Sequence, residues 1–156
     1  MLLYKYIKYL IFASNGKGHG IHSPFVYDFV VNVLNKSFKG TEKLDVLESA
    51  EHFILGKKYL HLINRIKSFY VDYTVQVFQL PFKTELEFSI FGKKMEEAIE
   101  SDVLIIIGLN SSGIAEKKWL EIKKNEKVTC SINLFFIGIL FFKKDFKEKL
   151  DFMIRF

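Results

Sequence analysis

The sequence predicts an α/β fold in which N-terminal helices precede a small sheet that closes in an antiparallel hairpin. Three observations carry that expectation. Apolar residues recur at helical spacing through the first 66 positions. Asp102 to Gly108 is a continuous apolar run, of the kind buried on both faces in a parallel sheet. The C-terminal third reads as closely spaced strands at about 127 to 134, 137 to 143 and 150 to 156. With 156 residues, 49% hydrophobic and 16% aromatic, the chain has the size of one domain and ample material for a core. It divides into a helical part, 1–69, and an α/β sheet part, 70–156, with no internal repeat and no low-complexity linker.

Taken in order, Leu2, Leu3, Tyr6, Ile7, Leu10 and Ile11 predict an amphipathic helix over 2 to 13 whose apolar stripe packs on the body, with lysines on its other side. Gly16 to Gly20 form a loop. Ser23 followed by Pro24 reads as a helix start, a hydroxyl N-cap and then proline at the first helical position, with Phe25, Val26, Phe29, Val30, Val33 and Leu34 as the stripe behind it. After a polar connector, Leu44, Leu47, Ala50 and Ile54 predict one helix and Tyr59, Leu62, Ile63 and Ile66 another, separated by Gly56. Tyr73, Val75 and Val77 then alternate as a strand, and Leu86, Phe88 and Ile90 alternate with Glu85, Glu87 and Ser89 as a second strand with one wet face. Lys93 to Ser101 reads as a short helix, and Ala115, Trp119, Leu120 and Ile122 mark another. Strand, helix, strand, helix, strand calls for crossover units, with the last strands added antiparallel through a short link at Phe136 to Gly138.

Charge and cysteine usage exclude several classes. The net charge of +5 suggests a polyanion partner, but the lysines come as scattered pairs and arginine occurs only at Arg65 and Arg155, so no nucleic-acid interface is expected. Cys130 is the single cysteine, which rules out an internal disulfide and leaves no zinc-type cluster; a reducing, cytoplasmic location fits. Lys5 and Lys8 interrupt the apolar start MLLYKYIKYLIFA, which is too short for the ~20 residues of a membrane span and lacks a cleavage site, so neither signal peptide nor span is expected.

Few residues group into chemistry. His19 and His22, three apart beside Ser23 and Asp28, could be a metal pair or a nucleophile with its base, but the spacing is common and a capping hydroxyl is already engaged. His52 and His61 have no ligand-spaced partner. The run Gly16-Lys17-Gly18-His19-Gly20 follows a helix rather than a strand and lacks the Lys-Ser/Thr ending of a phosphate loop, so its glycines read as turn glycines. No metal site is expected.

Two stretches together are similar to the two ends of a family of class I S-adenosylmethionine-dependent methyltransferases found in Bacteroidetes. The N-terminal one is the signature His19-Gly20-Ile21-His22-Ser23-Pro24-Phe25. The C-terminal one runs from the buried strand through Trp119 to Asn133-Leu134-Phe135, Gly138, Phe141-Phe142 and Arg155-Phe156. The resemblance covers about half the chain and implies a small Rossmann-like sheet, truncated by most of the cofactor-binding half. It implies S-adenosylmethionine as cofactor, at the carboxyl ends of the strands near 73–80 and 102–109. The middle departs from the family. Such enzymes carry a glycine-rich turn after their first strand and an acidic residue after the second, whereas this chain has no glycine between Gly56 and Gly92. Where the relatives read Asp-Asp-Ile-His-Trp-Ser, this chain reads Ile107-Gly108-Leu109-Asn110-Ser111-Ser112, and both carboxylates and the imidazole are gone.

The expectation is therefore a methyltransferase-like protein with weak or absent catalysis that does not hold S-adenosylmethionine. Candidate catalytic residues are His19, His22 and Asn110, and candidate cofactor-binding residues are Ser111 and Ser112. The alternatives are a non-catalytic binding or self-assembly module, as a homo-oligomer or with a protein partner, because a shortened sheet leaves apolar edges to cover, or a remnant of a longer enzyme.

Overall fold

The computed structural model describes residues 2–14, 16–18, 20–36 and 56–156. The helix expected through Leu44 to Ile54, with His52, lies outside them. Helix α1 spans Leu2–Phe12, and α2 spans Pro24–Phe29 and runs on into a π-helical turn, Val30–Leu34. Then follow α3 (Lys57–Phe69), β1 (Thr74–Gln79), α4 (Glu85–Glu97), β2 (Asp102–Ile107), α5 (Gly113–Ile122), β3 (Cys130–Asn133), β4 (Ile137–Phe141) and β5 (Leu150–Met153). Among the described residues no helix is long and apolar enough to cross a membrane.

The strands form one five-stranded mixed sheet in the order β1-β2-β4-β3-β5. β1 runs parallel to β2, with Thr74 opposite Asp102 and Gln79 opposite Ile107. β4 is antiparallel to both β2 and β3, so the expected hairpin inserts its second strand between them. β5 is no part of the hairpin. It pairs parallel with β3 at the far edge, through a connection after Phe142 that turns the chain back.

Period-two alternation along β2 explains the layers on either side. Val103, Ile105 and Ile107 face α2 and α3, joining Val26, Phe29, Leu62 and Ile66 in one core. Leu104 and Ile106 face α4 and α5, joining Phe91, Met95 and Trp119 in a second. Every residue of β2 is buried, as its unbroken apolar run predicts, and each large side chain so buried contributes ~1.5–3 kcal/mol. Asp102 opens the strand at 2% exposed, where Lys94 pairs with one carboxylate oxygen at 2.8 Å and the Ile99 N–H donates to the other at 2.8 Å.

Two expectations about the helices fail. The alternation at Glu85 to Phe91 is helix, not strand. Thr84 caps it by accepting from the Glu87 N–H at 3.1 Å, and the Glu87 carboxylate accepts from the Lys83 N–H at 2.7 Å, a start signal that outweighs a short run of alternation. Only Phe91 and Met95 of this helix are buried, and Leu86, Phe88 and Ile90 are exposed.

The second failure concerns which side of α1 packs inward. The helix is present, but Leu3, Ile7 and Ile11 are exposed and Tyr9 alone within it is buried. Polar bonds decide the orientation. The Tyr9 hydroxyl donates to the Ile154 carbonyl and accepts from the Phe156 N–H at 3.2 Å, Lys5 pairs with Glu116 on α5, and the Ser14 N–H reaches the Met153 carbonyl at 2.7 Å. These bonds hold α1 over the carboxyl end of the sheet by its polar stripe.

Candidate functional site

The residues expected to lie nearest any chemistry follow β2. Gly108 turns the chain with a φ of 85°, a conformation that favours glycine. The N–H groups of Gly108 and Leu109 donate to the Phe136 carbonyl at 2.8 and 3.4 Å, which ties this turn to the β3–β4 hairpin. Asn110 donates from Nδ2 to the Phe135 carbonyl at 2.6 Å. Ser111 Oγ donates to the Gly108 carbonyl at 2.8 Å and lies 3.4 Å from that of Leu80. Ser112 caps α5 by accepting from the Ala115 N–H at 3.0 Å. All of these candidate side chains are engaged in building the turn.

His19 lies outside the described residues. His22 is exposed and stands just before α2, which packs on the sheet face opposite α5, so the structure does not bring it to Asn110, Ser111 and Ser112. Ser23 is the N-cap of α2, as its Ser-Pro context predicts, at a longer 3.4 Å from the Val26 N–H. Among the described residues no group of His, Cys, Asp and Glu is arranged to hold a metal ion.

The turns available to S-adenosylmethionine can be tested on their own geometry. β1 runs into Leu80, fully buried, whose N–H donates to the Ile107 carbonyl at 2.8 Å. Pro81 and Phe82 follow, and Phe82 packs on Phe91 with ring centroids 5.0 Å apart. Leu80, Pro81 and Phe82 thus stand where the resembled enzymes carry a glycine turn. After β2, the Gly108 and Leu109 N–H groups go to the Phe136 carbonyl and that of Ser111 to the Gly108 carbonyl.

The same end of the sheet holds a cavity of about 240 Å³ between α1 and α5. Phe12, Leu120 and Met153 supply apolar wall, and Lys5, Lys8 and Glu116 supply charge. Trp119 and Phe135 line it from the sheet side. Phe135 carries a φ of 72°, a left-handed conformation rare for a bulky residue. Its N–H is held by Asn133 Oδ1 at 2.8 Å and its carbonyl by Asn110, so two asparagines clamp a strained residue at the cavity wall. Trp119 packs against β4 at Gly138, where an added Cβ would come within 2.5 Å of the indole ring. A second, shallower groove of about 620 Å³ lies between the start of α4 and α5, with Phe82, Phe88 and Lys118 among its lining.

The spacing puts Trp119 at helical register in α5, and Lys5 and Lys8 on the side of α1 away from its apolar stripe. Trp119 is core, but it is also a cavity wall. Nothing in the spacing of α1 could reveal that its lysines meet α5, because that contact joins residues 111 positions apart. No protein-family model, no curated protein and no solved structure matches the chain.

Proposed function

We propose that this chain is a methyltransferase-like scaffold that works by binding rather than by methyl transfer. The observation that carries the reading is the engagement of Asn110, Ser111 and Ser112 in the turn after β2, where the resembled enzymes place carboxylates and an imidazole. A general base needs a group that takes up a proton near neutral pH, which the amide of Asn110 and the hydroxyls of Ser111 and Ser112 are not, and Asn110 Nδ2 and Ser111 Oγ are held in place as donors to backbone carbonyls. A Rossmann-like origin is supported by the parallel β1-α4-β2 unit and by the hairpin strand β4 set antiparallel beside β2. Calorimetric titration with S-adenosylmethionine tests the reading: no saturable heat is expected up to about 1 mM, and a low-micromolar dissociation constant would overturn it.

A second reading, assembly with another copy of this chain, is favoured by α1. Leu3 and Tyr4 are each 71% exposed, and Ile11 and Phe12 are 67% and 69% exposed. A helix turned outward with that surface is a candidate for burial in an interface. β1 adds to it, because among the described residues it pairs on one side only.

A further inference from the structure

The cavity between α1 and α5 is unbalanced in both charge and hydrogen-bonding capacity. Lys5, Lys8 and Lys123 line it against one carboxylate, Glu116. Glu116 satisfies Lys5, and Asp151 satisfies Lys123. Lys8, exposed at the mouth, has no hydrogen bond or ion pair among the described residues. Trp119, part of the cavity wall, is 2% exposed, and its Nε1, shut off from solvent, has no acceptor among the described residues. A buried N–H without an acceptor is rare in a folded protein because the lost bond to water is not replaced. Asn133 adds a donor beside Lys8: its Oδ1 is taken by the Phe135 N–H, which leaves its amide hydrogens available.

An excess of donors and of positive charge around an apolar wall selects a ligand that only accepts and carries negative charge. A carboxylate meets both conditions. The volume, about 240 Å³, lies below the roughly 300–1,000 Å³ of sites for drug-sized molecules, so the occupant is smaller. We infer that this cavity binds a small apolar carboxylate, its oxygens taking hydrogen bonds from Lys8 and Asn133 and its apolar body lying on Phe12, Leu120 and Met153 beside Trp119. The clamped, left-handed Phe135 is part of the same wall, which places backbone strain where a binding site would hold it.

The inference deepens the binding reading, and the two fail separately. S-adenosylmethionine binding would overturn that reading without touching this cavity, and a failed titration here would leave that reading in place. Trp119 is the only tryptophan, so its emission reports on the cavity directly. The protein is titrated with 3-phenylpropanoate, with the neutral 3-phenylpropanamide and with the cationic 3-phenylpropylamine. A saturable change is expected with the carboxylate, at least ~10-fold tighter than with the amide, and none with the amine. Lys8→Gln, an exposed change on α1, should leave the thermal melt unaltered and remove most of the preference for carboxylate over amide. A flat titration with the carboxylate, equal affinities for carboxylate and amide, or an undiminished preference in Lys8→Gln overturns the inference.

Discussion

At the residue scale, the best-determined contact is the indole of Trp119 on Gly138. An added methyl has no room, since three ring atoms lie within 3.0 Å of it and Trp119 is locked between α5 and β4. Gly138→Ala should therefore destabilise the fold by ~1–3 kcal/mol in urea denaturation, the usual cost of overpacking a core, and a smaller side chain at position 119 should recover part of it. The caps give a graded test of the claim that the serines are structural. Ser112→Ala removes a 3.0 Å cap bond and should cost ~1 kcal/mol, whereas Ser23→Ala removes a 3.4 Å bond and should cost less in the same melts. Ser23 was legible as a cap because proline follows it. Ser112 was not, because its role depends on where β2 ends and α5 begins.

At the scale of elements, α1 shows what periodicity can and cannot tell. Its spacing announces a helix, but a helix with apolar residues at Leu3, Tyr4, Ile7, Ile11 and Phe12 offers more than one face, and the choice fell to Tyr9, Lys5 and the chain termini meeting through Ser14 and Ile154. If the outward face is an interface between copies, Ile11→Lys should shift sedimentation velocity toward monomer without lowering the melting midpoint, because Ile11 is 67% exposed in one copy. A sedimentation profile unchanged by that substitution would remove the assembly reading. The sheet was more legible than α4. β2 and β4, buried throughout, announce themselves by continuous apolar runs, whereas Leu86, Phe88 and Ile90 alternate by chance on a helix whose capping residues, Thr84 and Glu87, were the better signal.

At the scale of the whole molecule, burial of neutral acids sets how stability depends on pH. Burial, with the charge of Asp151 adding, pushes the Cys130 thiol up to about 12 from 9.0, and burial pushes the Tyr59 hydroxyl up to about 12 from 10.0. Tyr9 and Tyr70 are raised as well, again chiefly by burial. These groups stay neutral when folded and ionise at their ordinary values when unfolded. The stability they contribute is complete below about pH 9 and is lost as pH climbs from there toward 12, so melting midpoints should fall progressively over that window while Cys130 resists thiol reagents at neutral pH. The cofactor question belongs to this scale too, because ligand binding raises the stability of the entire fold. A site with a dissociation constant of ~10 µM, given about 1 mM S-adenosylmethionine, adds ~2.7 kcal/mol, which for a chain of this size lifts the melting midpoint by roughly 5–10 °C. The turns after β1 and β2, filled by Leu80, Phe82 and bonds to Phe136, predict a shift of less than about 1 °C. A rise of several degrees in that melt would contradict the account of this chain as a scaffold that binds without transferring methyl groups.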